Sequence, residues 1–221
     1  MTPAGRERSD AAIRLSVPDP AQRKDLAVFA ERARRLDEAA VVRLRMRADG
    51  LVGAWVATSF DVLAARVVGG SMQPPDLTCA ADELVRGLAG ADASGRVDPG
   101  YPMDSAWRGA LPPETGFVHL DDVPAAALGE LARQGADLAR EHAGPKGPPA
   151  SLLDQEVLQV SSAGESVAVP MRCVMALVAM GFLTANDGEV ARVRVMPSWL
   201  RIDARFGSVF RRRGDPALLL G

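Results

Sequence analysis

The run VPMRCVMALVAM at residues 169–180 constrains the chain more than any other stretch. Read at helical spacing it is apolar on every side, with Arg172 as its one charge. A helix that is hydrophobic all round belongs in a protein interior. It is far short of the roughly 20 residues that span a bilayer. Gly181 follows at the position where a helix-stopping glycine is expected. The rest of the chain must therefore supply a sheet, and other helices, to cover this segment.

The flanking patterns supply the sheet. Along residues 41–48, Val42, Leu44, Met46 and Ala48 alternate with Val41, Arg43, Arg45 and Arg47, the period of a half-buried strand. Asp49-Gly50 is a hairpin turn, residues 51–59 return, and residues 62–68 add a third strand. Strands are also expected at 156–161 and 166–169, with a hairpin formed by 190–195 and 199–206. In its second arm Leu200, Ile202, Ala204 and Phe206 share one face, and Trp199, Arg201, Asp203 and Arg205 the other. Helices are expected near 20–36, 79–88 and 122–142. The first has Asp19 as cap and Pro20 at its first position; the third is read with Asp122 as cap. The fold class is α+β, with antiparallel sheets in the N- and C-terminal thirds and helices packed on them.

Two parts of the chain look alike. Ser16-Val17-Pro18 precedes a helix, and Arg43-Leu44-Arg45 then opens a meander. Ala168-Val169-Pro170 likewise precedes a helix, and Arg192-Val193-Arg194 opens a meander. The shared order strand–helix–strand–strand predicts a duplicated βαββ unit. The expected organisation is a disordered tail at 1–11, a first unit at 12–70 and a helical and loop insertion at 71–150. A C-terminal ββαββ unit follows at 151–213, then a tail at 214–221, all in one compact domain. GPKGPP at 144–149 reads as a short, stiff link.

Composition narrows the function. The net charge is −2, so no global field draws the molecule to nucleic acid or anionic lipid, and such binding would need a local patch. Cys79 and Cys173 are the only cysteines, too few for a disulfide framework or a zinc site. The polar N-terminus lacks the apolar segment of a secretory signal, and no run reaches transmembrane length. The expectation is a cytoplasmic protein with no membrane, metal or cofactor, and with self-association left open. No phosphate-binding glycine loop and no nucleophile elbow is present. That leaves a non-enzymatic protein-interaction or ligand-binding module as the leading reading.

Two stretches are candidate sites. The loop DPGYPMDSAWRGALPPE at 98–114 concentrates Tyr101, Asp104, Ser105, Trp107 and Arg108, and long loops rich in Trp, Tyr and Arg often bind partners. The competing reading is an ordered loop in which Trp107 fills a gap and Asp104 caps a turn. The second stretch carries Arg192, Arg194, Arg201, Arg205, Arg211, Arg212 and Arg213 against Glu189 and Asp203. Clustered guanidinium groups suit phosphate, which makes nucleic-acid association the alternative function. Against it stands a solvated sheet face whose arginines pair with acidic helices elsewhere in the chain.

A winged helix-turn-helix needs a polar recognition face, which residues 171–180 lack unless 165–168 are helical. An enzyme would need a pocket joining Asp104, Arg108 and a further group such as His119. His119 lies near Asp121 and Asp122, a poor metal set, and His142 falls at a helix end where a partly positive ring is structurally favourable. The runs PMDSAWRGALPPETGF and GPPASLLDQEVLQV resemble an uncharacterised family from high-GC actinobacteria. That resemblance implies a cytosolic bacterial setting and brings no activity, substrate or catalytic residue.

Overall fold

In the first half of the chain, a short strand β1 (Arg14–Ser16) leads into helix α1 (Pro20–Leu36). The Asp19 carboxylate accepts from Ala21 N at 2.8 Å, and Pro20 occupies the first turn, where its missing N–H leaves no bond unmade. The meander β2 (Val41–Met46), β3 (Val52–Thr58) and β4 (Val62–Val68) follows. Next come β5 (Ser71–Gln73), β6 (Asp76–Ala80), α2 (Ala81–Ala89) and β7 (Arg96–Val97). The second half opens with β8 (Val118–Pro124), α3 (Ala125–Glu141) and the single turn α4 (Ala150–Leu153). It continues through β9 (Glu156–Ser162), β10 (Glu165–Pro170) and α5 (Met171–Ala179), and closes with β11 (Val190–Met196), β12 (Trp199–Ala204) and β13 (Gly207–Arg212). The computed structural model describes residues 13–141, 150–162, 164–184, 186 and 188–214. The tail expected at 1–11, His142, the link at 144–149 and residues beyond 214 lie outside the described residues.

One eight-stranded antiparallel sheet runs through both halves in the order β6-β2-β3-β4-β13-β12-β11-β8. The halves meet where β4 pairs with β13, setting Leu63 opposite Phe210, Ala64 opposite Val209 and Ala65 opposite Ser208. Two smaller sheets, β5-β1-β7 and β9-β10, flank it. The units β1-α1-β2-β3-β4 and β10-α5-β11-β12-β13 occupy matching places on either side of the β4–β13 pairing. The expected βαββ repeat is thus present, with a third strand in each copy.

The helices pack on one face of the large sheet. Alternation drives this: Val42, Leu44, Val193, Leu200, Ile202 and Val209 are all buried in one core with Leu26, Phe29 and Ala33 of α1 and Cys173, Val174 and Leu177 of α5. Just past the end of α5, the Phe182 ring stacks on Phe29 of α1 at 6.2 Å. Arg172, only 8% exposed, donates from Nη1 to Phe60 O at 2.7 Å and from Nε to Asp154 Oδ1 at 3.1 Å. It thereby ties the β3–β4 turn of the first half to the second half.

Several expectations are corrected. Residues 71–150, read as an insertion, supply both outer strands of the large sheet, β6 and β8, because their short apolar runs pair with β2 and β11. Asp122 and Pro124 lie in β8 rather than in a helix start, and α3 begins at Ala125; cross-strand pairing has overridden a local capping preference. β13, unrecognised because its two buried apolar residues, Val209 and Phe210, are adjacent and face opposite sides and so show no alternation, carries the join between halves. The central helix α5 is covered on most sides, but Val178 is 43% exposed. Residues 165–168 are strand, which removes the helix-turn-helix reading.

Candidate functional site

The linker between the halves carries the loop candidates, and it crosses the sheet face that the helices leave bare. That face bears a second apolar cluster of Trp55, Ala65, Trp199 and Phe210, joined by Leu63, Trp107, Leu111, Phe117 and Met196. Trp107 lies in this cluster, with its Nε1 donating to Gly109 O at 3.0 Å and the Arg43 guanidinium 5.8 Å from its ring centre. Asp104 opens a 3-10 turn at Asp104–Ala106 and accepts from Thr78 N at 2.7 Å, while Met103 N donates to Thr78 O at 2.7 Å. These bonds occupy the outward-facing backbone of β6 at its centre, so the linker covers that sheet edge. Asp104 and Trp107 therefore hold the loop in place, Trp107 against the bare sheet face and Asp104 through the edge of β6 rather than by capping a turn.

The remaining loop residues are free to make contacts. Tyr101 is 85% exposed, and Ser105 and Arg108 are exposed as well. Arg108 lines a cleft of about 390 Å³ with Ala57, Val62 and Leu63 of the β3–β4 hairpin and with Trp199, Phe210 and Arg212. Among the described residues neither Arg108 nor Arg212 has a carboxylate partner; Arg212 lies over the Trp199 ring at 5.7 Å. The cleft thus combines apolar walls with two guanidinium groups that have no carboxylate partner; Arg211 and Asp61 also line it, Asp61 lying 3.6 Å from Arg172, and the lining is positive on balance. Sequence reasoning placed these two arginines in separate candidates, and only the β4–β13 join brings them together. Tyr101 and Asp104 line a different groove, on the far side of the first half.

The arginine stretch does not form one free face. Arg192 and Arg194 on β11 and Arg201 on β12 lie on the bare face, where Arg194 and Arg201 both pair with Asp203 (3.2 and 2.7 Å) and Arg192 lies 3.9 Å from Asp122. Arg201 also stacks over Phe117 and Phe210, at 5.5 and 5.3 Å. Arg205 pairs with Glu189 at 2.9 Å, and Arg211 points to the helical side, 3.5 Å from Asp154. Arg213 donates to Met196 O at 3.2 Å. The carboxylate partners come from strands, turns and the chain around α4, not from the long helices.

The residues an enzyme would need are apart. Asp104 lines one groove, Arg108 another cleft, and His119 Nε2 sits 2.8 Å from Asp122 Oδ1 on β8. No group of three or more potential metal ligands exists among the described residues. Burial pushes the Cys79 and Cys173 thiols up to about 12, so neither is a nucleophile near neutrality. Among the described residues no helix is long and apolar enough to cross a membrane.

Comparison with known proteins bears on the architecture. The clamp of DNA polymerase from Bacillus subtilis superposes with a TM-score of 0.58 at 11% identity, covering 90% of this chain and 64% of that one. The DNA polymerase III beta chain of Streptococcus pneumoniae gives 0.56 at 10% identity, over 91% and 65%. The fold is that of the sliding clamps. A third clamp, from Bartonella birtlesii and solved bound to griselimycin, gives 0.53 at 12% identity over 92% and 65%. The chain spans about 65% of the length of these clamps. Residues 10–109 match the model of a domain of unknown function, DUF8010, and residues 112–216 that of another, DUF8185. The boundary between the two models falls in the linker, beside Arg108. No curated protein matches the chain in sequence.

Proposed function

We propose that the protein is a non-enzymatic interaction module on a sliding-clamp fold, and that it docks a partner segment in the cleft at Arg108. The observation that carries this reading is the pair of guanidinium groups, Arg108 and Arg212, without carboxylate partners in a cleft walled by Val62, Leu63, Trp199 and Phe210. An apolar-walled cleft with a few convergent charges suits a small segment whose apolar side chains fill the walls. Two guanidinium groups select a carboxylate on that segment. Likeness to a clamp solved with a bound ligand, griselimycin, adds support. The test is selection of random short peptides on the immobilised protein. Acidic–apolar sequences recovered by the wild type and lost with Arg108→Glu support the reading; recovery indifferent to Arg108 contradicts it.

A second reading, association with DNA, is favoured by the likeness to clamps of DNA polymerases. Helix α1 carries five basic and two acidic residues, but α2 and α3 each carry one more acidic than basic residue. The helical layer is therefore only weakly positive, and most arginines of the opposite face are paired. Anisotropy of labelled duplex DNA at low and near-physiological salt separates the readings. Binding that falls steeply with salt supports DNA association, and none at low salt removes it.

A further inference from the structure

A groove of about 1020 Å³ lies away from the Arg108 cleft and has the opposite charge. It runs between α2, β6, β7 and the start of the linker. Ile13, Leu77 and Val97 form an apolar floor, and Glu83, Asp92, Asp98 and Asp104 stand on the rim against the single cation Arg96. Peptide and ligand sites commonly occupy about 300–1,000 Å³, so the groove can hold several residues of an extended chain.

Its walls are fixed by close packing. A Cβ on Gly87 of α2 would fall 1.6 Å from Asp98 O, and one on Gly100 would fall 2.6 Å from Glu83 Cβ. The backbone from Asp98 to Tyr101 therefore lies directly on α2. The rim carboxylates are held as well. Asp98 Oδ1 accepts from Gly100 N at 3.0 Å, Asp104 Oδ1 from Thr78 N at 2.7 Å, and Asp92 Oδ1 from Ser94 N at 2.9 Å and Arg96 N at 3.0 Å. In each of these three aspartates the other oxygen has no partner among the described residues. At the mouth stands Tyr101, 85% exposed, whose ring can hold an apolar or cationic side chain. A preformed groove spares a ligand the cost of ordering it.

We infer that this groove is a second docking site, which takes an extended segment of a protein partner bearing arginine or lysine beside apolar residues. The charge decides the occupant: Asp92, Asp98 and Asp104, each with a free oxygen, outweigh the one lining cation Arg96, while Glu83 is paired with Arg86 at 2.5 Å, so the groove repels an acidic segment or a phosphate and attracts a basic one. The inference rests on reading the chain as an interaction module but not on the Arg108 cleft, so the two sites can be tested apart.

The experiment is selection of random short peptides on the intact, immobilised protein, followed by affinities of the recovered sequences from fluorescence anisotropy. The key variant is the pair Asp92→Asn and Asp98→Asn, in which each new side chain keeps an accepting oxygen; thermal melting checks its fold. The expected result is a basic–apolar class that binds the pair variant roughly tenfold more weakly and Tyr101→Ala more weakly too. Arg108→Glu leaves that class unchanged while abolishing any acidic class. Recovery of no basic class overturns the inference, as does equal affinity for the wild type and the pair variant. Should the pair variant melt early, Tyr101→Ala decides by the same criterion.

Discussion

Ala64 of β4 and Val209 of β13 lie directly opposite one another, both buried, at the centre of the three-residue pairing that makes two sheets into one. Shortening Val209 to alanine removes apolar contact at this join and is expected to cost about 2 kcal/mol. Denaturant unfolding checks this. A second unfolding transition would further show that the halves separate before either melts.

Arg172 is the other tie between halves. Arg172→Met fills a similar volume but leaves Phe60 O without its donor and Asp154 without its main cation. Asp154 is half exposed and can rehydrate, so the loss is expected to be about 2 kcal/mol rather than that of a fully buried pair. Thermal unfolding of Arg172→Met and Asp154→Asn, separately and together, isolates the coupling between them.

Much of this was legible in the sequence, wherever local pattern and tertiary demand agree. Val42 and Leu44 against Arg43 and Arg45 fixed the inner and outer faces of β2, and Leu200 and Ile202 against Trp199 and Arg201 did so for β12. The repeat was readable from VP before each helix and the arginine-flanked strand after it. What escaped was set by distant partners. Asp122 has the preferences of a helix cap, but β11 draws it into a strand. Nothing local in GSVFRR announces that its neighbour is β4. The loop candidates likewise looked like one site, and the fold divides them: Tyr101 and Asp104 go to one groove, Arg108 to another cleft, and Trp107 to the sheet.

Trp107→Ala is therefore a structural variant as well as a surface one. It removes a half-buried ring from the aromatic cluster and loosens the linker, with an expected cost of about 2–3 kcal/mol. Arg108→Ala, with its side chain exposed and unpaired, should stay within about 0.5 kcal/mol of the wild type. Paired thermal melts give the comparison, and equal losses would contradict the placement of the two residues.

The cysteines predict an alkaline sensitivity. Burial lifts both thiols from an ordinary 9.0 to about 12 in the folded protein. Below the unfolded value both states keep the proton, and this contribution to stability is fully present. As pH rises from there towards the folded value, only the unfolded chain loses protons, so stability falls. Melting temperatures followed between pH about 8 and about 10 should decline, and the decline should be shallower in Cys79→Ala with Cys173→Ala. In the folded protein neither thiol should react with a thiol reagent at neutral pH.

The most direct test of the central claim is the affinity of an acidic–apolar peptide, selected on the wild type, for the wild type and for Arg108→Glu, measured by calorimetry on proteins shown to melt alike. Docking in the cleft predicts a single site on the wild type and a loss of roughly tenfold or more in the variant. Equal affinity for the two would contradict it, and would place the peptide somewhere other than the cleft that Arg108 and Arg212 share.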